Sequence, residues 1–320
     1  MFPLHRPRRL RKSPQVRSLV RETAVDKSHL IYPLFVTESG PKETPIESMP
    51  GISRFNYDGA LRETALLYEK GFRHFMIFGL PDSKDEQASG AYAPQGVVQQ
   101  MIRKMKKEFS ESVIFTDVCL CEYTSHGHCG VVHDGKIDND ESVELLAQTA
   151  LSHAEAGADF VAPSDMMDGR VLAIRTVLDD NGFEEIGLLS YAAKFSSAFY
   201  GPFREAADSA PKFGDRKTHQ MDAANRREAL KEMELDLEEG ADMLMVKPAL
   251  SYLDIIREAA DRFLVPIVAY NVSGEYSLVK AAAQKGWVDE KTIRDEILLS
   301  IRRAGADIII TYFARDIALE

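Results

Sequence analysis

The three cysteines of this chain lie within eleven residues, as Cys119-x-Cys121-x7-Cys129, and follow directly on the run Val113, Ile114, Phe115, Thr116, Asp117, Val118. A short apolar β-type run that ends in three thiolate-capable side chains can aim them at one point. Zn2+, a borderline-soft cation, takes sulfur ligands at about 2.3 Å and suits such a cluster. Three protein ligands leave one position for water or substrate, so the count favours a catalytic over a structural ion. Two alternatives stand beside this reading. His126, His128 or His133 as a fourth ligand would make the site structural, and small core cysteines need no metal at all. Against the second, Glu122, Tyr123, Thr124, Ser125, His126, Gly127, His128 and Gly130 have the composition of a loop.

A second chemistry is carried by two lysines. Lys194 closes Leu188-Leu-Ser-Tyr-Ala-Ala193, and Lys247 closes Met243-Leu-Met-Val246. An ammonium beside apolar walls and near a second ammonium has its charged form disfavoured on both counts, so the neutral amine becomes available near pH 7. Such an amine attacks carbonyls to form Schiff bases. The plainer reading of each lysine is a strand-end side chain in solvent or paired with an acid. Asp117, Ser164, Asp165, Ser273 and Tyr312 fall at similar positions, and Arg204 and Arg216 can clamp a carboxylate in bidentate fashion. The implied substrate is small and carries both a ketone or aldehyde and a carboxylate.

These residues need a scaffold that gathers them. After residue 28 short β-type runs alternate with long amphipathic stretches, the pattern of a parallel sheet with crossover helices. The expected strands are 31–36, 74–79, 113–120, 160–163, 187–194, 243–248, 266–272 and 308–313, and the expected helices are 58–70, 96–109, 142–156, 168–180, 223–239, 252–263 and 289–304. Gly157-Ala-Asp159, Gly240-Ala-Asp242 and Gly305-Ala-Asp307 each follow a helix and open an apolar strand, one αβ turn reused. The expectation is an α/β (β/α)8 TIM barrel over 29–320, with residues 1–28 as an N-terminal arm. A doubly wound sheet would carry a Gly-rich phosphate turn after its first strand, and after Val36 there is only Thr37-Glu-Ser-Gly-Pro41. The segment at about 196–222 breaks the rhythm and carries Tyr200, Phe203 and Phe213, which reads as an active-site lid. If the barrel holds, strand C-termini converge on one mouth.

Composition bounds the rest. A formal charge of −11 argues against nucleic-acid binding, and there is no apolar run of the roughly 20 residues that a membrane helix needs. His5, Arg6, Arg8, Arg9, Arg11, Lys12, Arg17 and Arg21 make the arm strongly basic, suited to an acidic surface such as another subunit. An odd cysteine count and no secretory signal point to a cytoplasmic protein whose thiols serve a metal.

The run Asp117-Val-Cys-Leu-Cys-Glu-Tyr-Thr-Ser-His-Gly-His-Cys-Gly130, the run Ser190-Tyr-Ala-Ala-Lys194-Phe with Phe199-Tyr-Gly-Pro-Phe-Arg204, and Met245-Val-Lys247-Pro together resemble the porphobilinogen synthase family, the 5-aminolevulinate dehydratases. The likeness extends from Arg8-Arg-Leu-Arg11 to the C-terminus. It implies a lyase that condenses two molecules of 5-aminolevulinate into porphobilinogen in tetrapyrrole synthesis. It further implies that Lys194 and Lys247 each hold one substrate as a Schiff base and that Cys119, Cys121 and Cys129 hold a catalytic Zn2+. Ser273, Tyr312, Arg204, Arg216 and Gln220 would bind substrate carboxylates, with Asp117 and Tyr200 beside them. Glu232 would serve a stimulatory Mg2+, and the assembly would be a homo-octamer. A single-lysine Schiff-base aldolase and a non-catalytic zinc-binding protein are the alternatives.

Overall fold

The structure, a computed structural model, describes residues 3–320; Met1 and Phe2 of the expected arm lie outside them. Eight strands run parallel: β1 (Leu30–Thr37), β2 (His74–Leu80), β3 (Val113–Val118), β4 (Phe160–Pro163), β5 (Gly187–Lys194), β6 (Met243–Lys247), β7 (Ile267–Asn271) and β8 (Ile308–Thr311). Each pairs with the next, and β8 returns to β1 through Leu30↔Ile309 and Ile31↔Ile310, closing the expected (β/α)8 barrel. Because helices cover the outside and side chains fill the inside, the strands read as near-continuous apolar runs, β1 being buried along all but Thr37. The first six crossovers carry α1 (Tyr57–Glu69), α2 (Val97–Glu108), α3 (Asn139–Ala156), α4 (Arg170–Asp180), α5 (Arg226–Glu238) and α6 (Leu253–Arg262).

Between β7 and β8 lie two helices, α7 (Ser273–Gln284) and α8 (Glu290–Ala304). The sequence pattern places no helix over α7, since Ser273 and Gly274 are weak helix-interior residues. They form its first turn instead, where the Glu275 carboxylate accepts the Val272 N–H at 3.0 Å as in a capping box.

The recurring Gly-Ala-Asp turn has two parts. Gly157, Gly240 and Gly305 stand at φ of 102°, 105° and 121°, which a side chain would disfavour. The aspartates then reach across: Asp159, Asp242 and Asp307 accept the N–H groups of Ile114, Leu188 and Ile267 at 2.6, 2.7 and 3.0 Å. Each caps the start of the preceding strand at the barrel's N-terminal rim, which leaves the C-terminal rim for chemistry.

Residues 196–222 are less irregular than expected. A 3-10 turn, Ala198–Tyr200, leads into a helix, Gly201–Ala206, in which Pro202 suits the first turn. The stretch beyond it returns to β5, where Met221 N–H donates to Lys194 O at 3.1 Å. In the arm, the short helices Pro7–Arg11 and Pro14–Leu19 bury no residue.

Candidate active site

Lys194 and Lys247 are register partners at the C-terminal ends of β5 and β6. Adjacent parallel strands lie about 4.8 Å apart, so two such lysines must share one cavity. Both are buried, at 5% and 4% exposure. One residue between them was not legible as part of the site. Tyr191 stands three before Lys194, and regular alternation would turn it to the opposite face. The pairing runs Leu244↔Ser190 and then Val246↔Ala193, so β5 carries an extra residue there. That bulge brings Tyr191 under both amines, its ring centroid 5.7 Å from Lys194 Nζ and 4.9 Å from Lys247 Nζ.

The two amines have different surroundings. Lys247 Nζ is boxed by rings, with Tyr270 at 4.3 Å, Phe203 at 5.0 Å and Tyr200 at 5.4 Å from centroid to nitrogen. Burial, and then the Lys194 ammonium, bring its pKa down to about 7. The ring faces pull the other way. Lys194 donates to the carbonyl of Ser164, just beyond β4. Burial opposes its charge as well, but the sulfurs of Cys129, Cys119 and Cys121 and the Asp117 carboxylate hold it above the usual lysine range. The sulfur field thus acts mainly on one lysine.

All three cysteines are buried and their Sγ atoms lie within 4.8 Å of one another, a group that can hold a metal ion. Hydrogen bonds from Cys119 and Cys121 hold the Cys129 thiol well below its usual range. Among the described residues no histidine nitrogen lies within 4.8 Å of all three sulfurs, although the His219 side chain hydrogen-bonds to Cys129. His128 Nε2 faces Phe213 O at 3.0 Å, His126 Nδ1 accepts the His128 N–H at 3.2 Å, and exposed His133 pairs with Glu141. His126, His128 and His133 thus each have a partner other than the sulfurs. Glu122, in a stretch of loop composition, is buried and its carboxylate lies 3.1 Å from Cys121 Sγ.

Asp117, on the last turn of β3, is buried with one carboxyl oxygen unpartnered. Burial and then the Glu122 charge raise its pKa to about 7, against the pull of both lysines. Across the mouth, Arg216 and Gln220 are buried, Arg204 is partly so, and the Nε atoms of both arginines and both amide atoms of Gln220 find no protein partner. Buried donors without partners are costly unless an anion meets them, which suits a carboxylate. Arg54 from the 53–55 strand holds the 201–206 helix through Ala206 O at 2.8 Å.

Three of the residues expected to contact substrate have partners within the protein. Ser273 Oγ accepts the Phe203 N–H at 2.9 Å and donates to Phe199 O at 3.3 Å, so it clasps the 196–222 segment. Tyr312 Oη pairs with Tyr270 Oη at 3.1 Å. Tyr200 Oη donates to Lys247 O at 3.1 Å. Asp165 lies two residues beyond β4, where its carboxylate accepts the Met167 N–H at 2.7 Å and stands 3.8 Å from buried Arg170. Glu232 is half-buried on α5 and belongs to no three-donor group among the described residues.

A closed barrel with two buried amines, a sulfur trio and unpartnered cationic donors at its C-terminal mouth defines a carbonyl-handling barrel enzyme. The sequence profile described as Delta-aminolevulinic acid dehydratase matches residues 4–319. The delta-aminolevulinic acid dehydratase of Methanothermobacter thermautotrophicus is 58% identical over 319 residues, covering 99% of this chain and 97% of that one. That of Bacillus subtilis is 56% identical over 314 residues, covering 98% and 97%. The Toxoplasma gondii ME49 enzyme, solved with the reaction product porphobilinogen, superposes with a TM-score of 0.96 at 48% identity, covering 99% of this chain and 91% of that one. This chain belongs to the delta-aminolevulinic acid dehydratase family. Among the described residues no helix is long and apolar enough to cross a membrane.

Proposed function

We infer that this chain condenses two molecules of 5-aminolevulinate into porphobilinogen with loss of two waters. The observation that carries this reading is the side-by-side burial of Lys194 and Lys247 in one cavity, supported by family membership over the whole chain. Each amine adds to one ketone and expels water as a Schiff base, which fixes both reactants and removes the entropy cost of their encounter, worth on the order of 7–11 kcal/mol in the best-oriented cases. Lys247, with its pKa near 7, is the readier nucleophile. Asp117, also near 7, is placed to take and return protons between the amines. Ring closure forms one carbon–carbon and one carbon–nitrogen bond, and each lysine leaves as the free amine.

Joining two copies of one ketone requires telling them apart. The sulfur field beside Lys194 and the aromatic box around Lys247 provide that asymmetry. Cys119, Cys121 and Cys129 are the residues that would hold Zn2+, a fit supported by three converging buried sulfurs. When bound, zinc supplies Lewis-acid polarisation of a carbonyl or hydroxyl oxygen and a water of lowered pKa. Arg204, Arg216 and Gln220 bind one carboxylate, and the Ser273 and Tyr312 hydroxyls receive the other by exchanging their present partners. Residues at about 196–222 are the active-site lid of the 29–320 barrel, and 1–28 an arm suited to another subunit of a homo-octamer. Glu232 is the residue assigned to a stimulatory Mg2+, with cytoplasmic location the matching setting.

Incubation with 5-aminolevulinate and a colour test for pyrrole checks the activity. Pyrrole should form, stop on addition of a zinc chelator and resume with excess zinc. Absence of pyrrole would refute the activity, and indifference to the chelator would refute zinc.

A further inference from the structure

We propose that the loop bearing the three cysteines is also the dock for the lid, so that cation affinity at the sulfurs and closure over the two lysines are one coupled equilibrium. The inference rests on the metal reading above but concerns residues outside the sulfur group.

The two segments meet along a continuous seam. Lys212 N–H donates to His126 O at 3.0 Å, Arg216 Nη2 donates to Gly127 O at 2.8 Å, and His128 Nε2 donates to Phe213 O at 3.0 Å. The Phe213 ring lies 4.5 Å from the His128 ring and 6.2 Å from that of His126. At Gly127, with φ of 75°, a Cβ would stand 2.5 Å from Ala210 O, so the approach is backbone against backbone. Thr124 Oγ1 holds His128 O at 2.9 Å, which ties the docking residues to the turn that follows Cys121. Lys84, outside both segments, pins the lid at Asp208.

His126, Gly127 and His128 lie between Cys121 and Cys129, so any ligand set that uses both cysteines fixes the dock's shape. The contacts to Lys212, Phe213 and Arg216 exist only when the lid is down. A cation that orders the loop therefore favours closure, and closure must raise cation affinity by the same factor. In this arrangement the histidines are positioning residues for the lid.

Two lid variants away from the catalytic groups test this. Lys212→Pro deletes the N–H that His126 O accepts, and Phe213→Ala deletes the ring on His128. Zinc affinity is read by competition with a chromogenic chelator, and lid closure by tryptic cleavage after Lys217. Both variants should bind zinc about 5–150-fold more weakly than the unaltered chain. In the unaltered chain, stripping zinc should accelerate cleavage after Lys217, whereas in Phe213→Ala it should change little. Zinc affinity within twofold of the unaltered chain in both variants, or cleavage indifferent to zinc, would overturn the coupling. If the unaltered chain binds no zinc, the metal reading itself fails, and this one with it.

Discussion

At the scale of single residues, the account turns on which amine is neutral. Lys247 loses its proton near pH 7, so Schiff-base formation on it should rise with pH through that region. Lys194→Ala removes the neighbouring ammonium and should move this limb to higher pH, as read by borohydride trapping on Lys247 across a pH series. A second residue governs stability. His153, buried on α3 with neither ring nitrogen partnered, has its pKa lowered by burial to about 3. The folded state therefore binds fewer protons than the unfolded one, and stability is full above pH 6.5 and falls as the pH drops below it. The loss should reach about 3 kcal/mol by pH 4.5. Denaturant melts at pH 7 and 4.5 check this, since His153→Leu should flatten the difference. The cysteines and lysines were legible because sulfur and amine chemistry stand out at strand ends. Tyr191 and Glu122 were not: one needs a bulge that the β-pattern does not announce, and the other is buried only because the loop folds inward.

At the scale of elements, helix α7 and the Ala198–Tyr200 turn meet at backbone distance. A Cβ on Gly274 would stand 2.5 Å from Phe199 O, a neighbour that cannot swing aside as a side-chain end can. Gly274→Ala should therefore push Ala198–Tyr200 off the mouth at a cost of about 1–3 kcal/mol. The expected result is a raised KM with a melting temperature shifted by only a few degrees, checked by steady-state kinetics and thermal scanning. Arg216→Lys should likewise raise KM, because Nη2 alone serves Gly127 O and Ser209 O, and an ammonium in its place keeps no counterpart of the unpartnered Nε–H for a carboxylate. Strand and crossover positions were readable to within a few residues because parallel strands covered on both faces leave unbroken apolar runs. The capping aspartates after Gly157, Gly240 and Gly305 were visible as a repeat, but their cross-strand bonds depend on which strands become neighbours. Helix α7 escaped notice because its first turn is built from Ser273 and Gly274, residues that suit the contact with Phe199 and Phe203 rather than helix propensity.

At the scale of the whole molecule, residues 3–19 pack little against the barrel. Leu4, Leu10 and Leu19 are 87%, 57% and 83% exposed, and neither arm helix buries a residue. Starting the chain near residue 25 should leave the melting temperature almost unchanged while reducing the assembly size in sedimentation. An unchanged assembly would contradict the arm's role. Basic charge sets residues 1–28 apart in the sequence, but any surface that they meet lies outside what one chain's sequence contains. The barrel itself carries the central claim, that β5 and β6 bring two amines into one cavity and that both react. The most direct measurement is borohydride reduction in the presence of 5-aminolevulinate, followed by mass mapping of the peptides. Adducts on both Lys194 and Lys247 are predicted. An adduct confined to one of them, whatever the substrate concentration, would contradict the account.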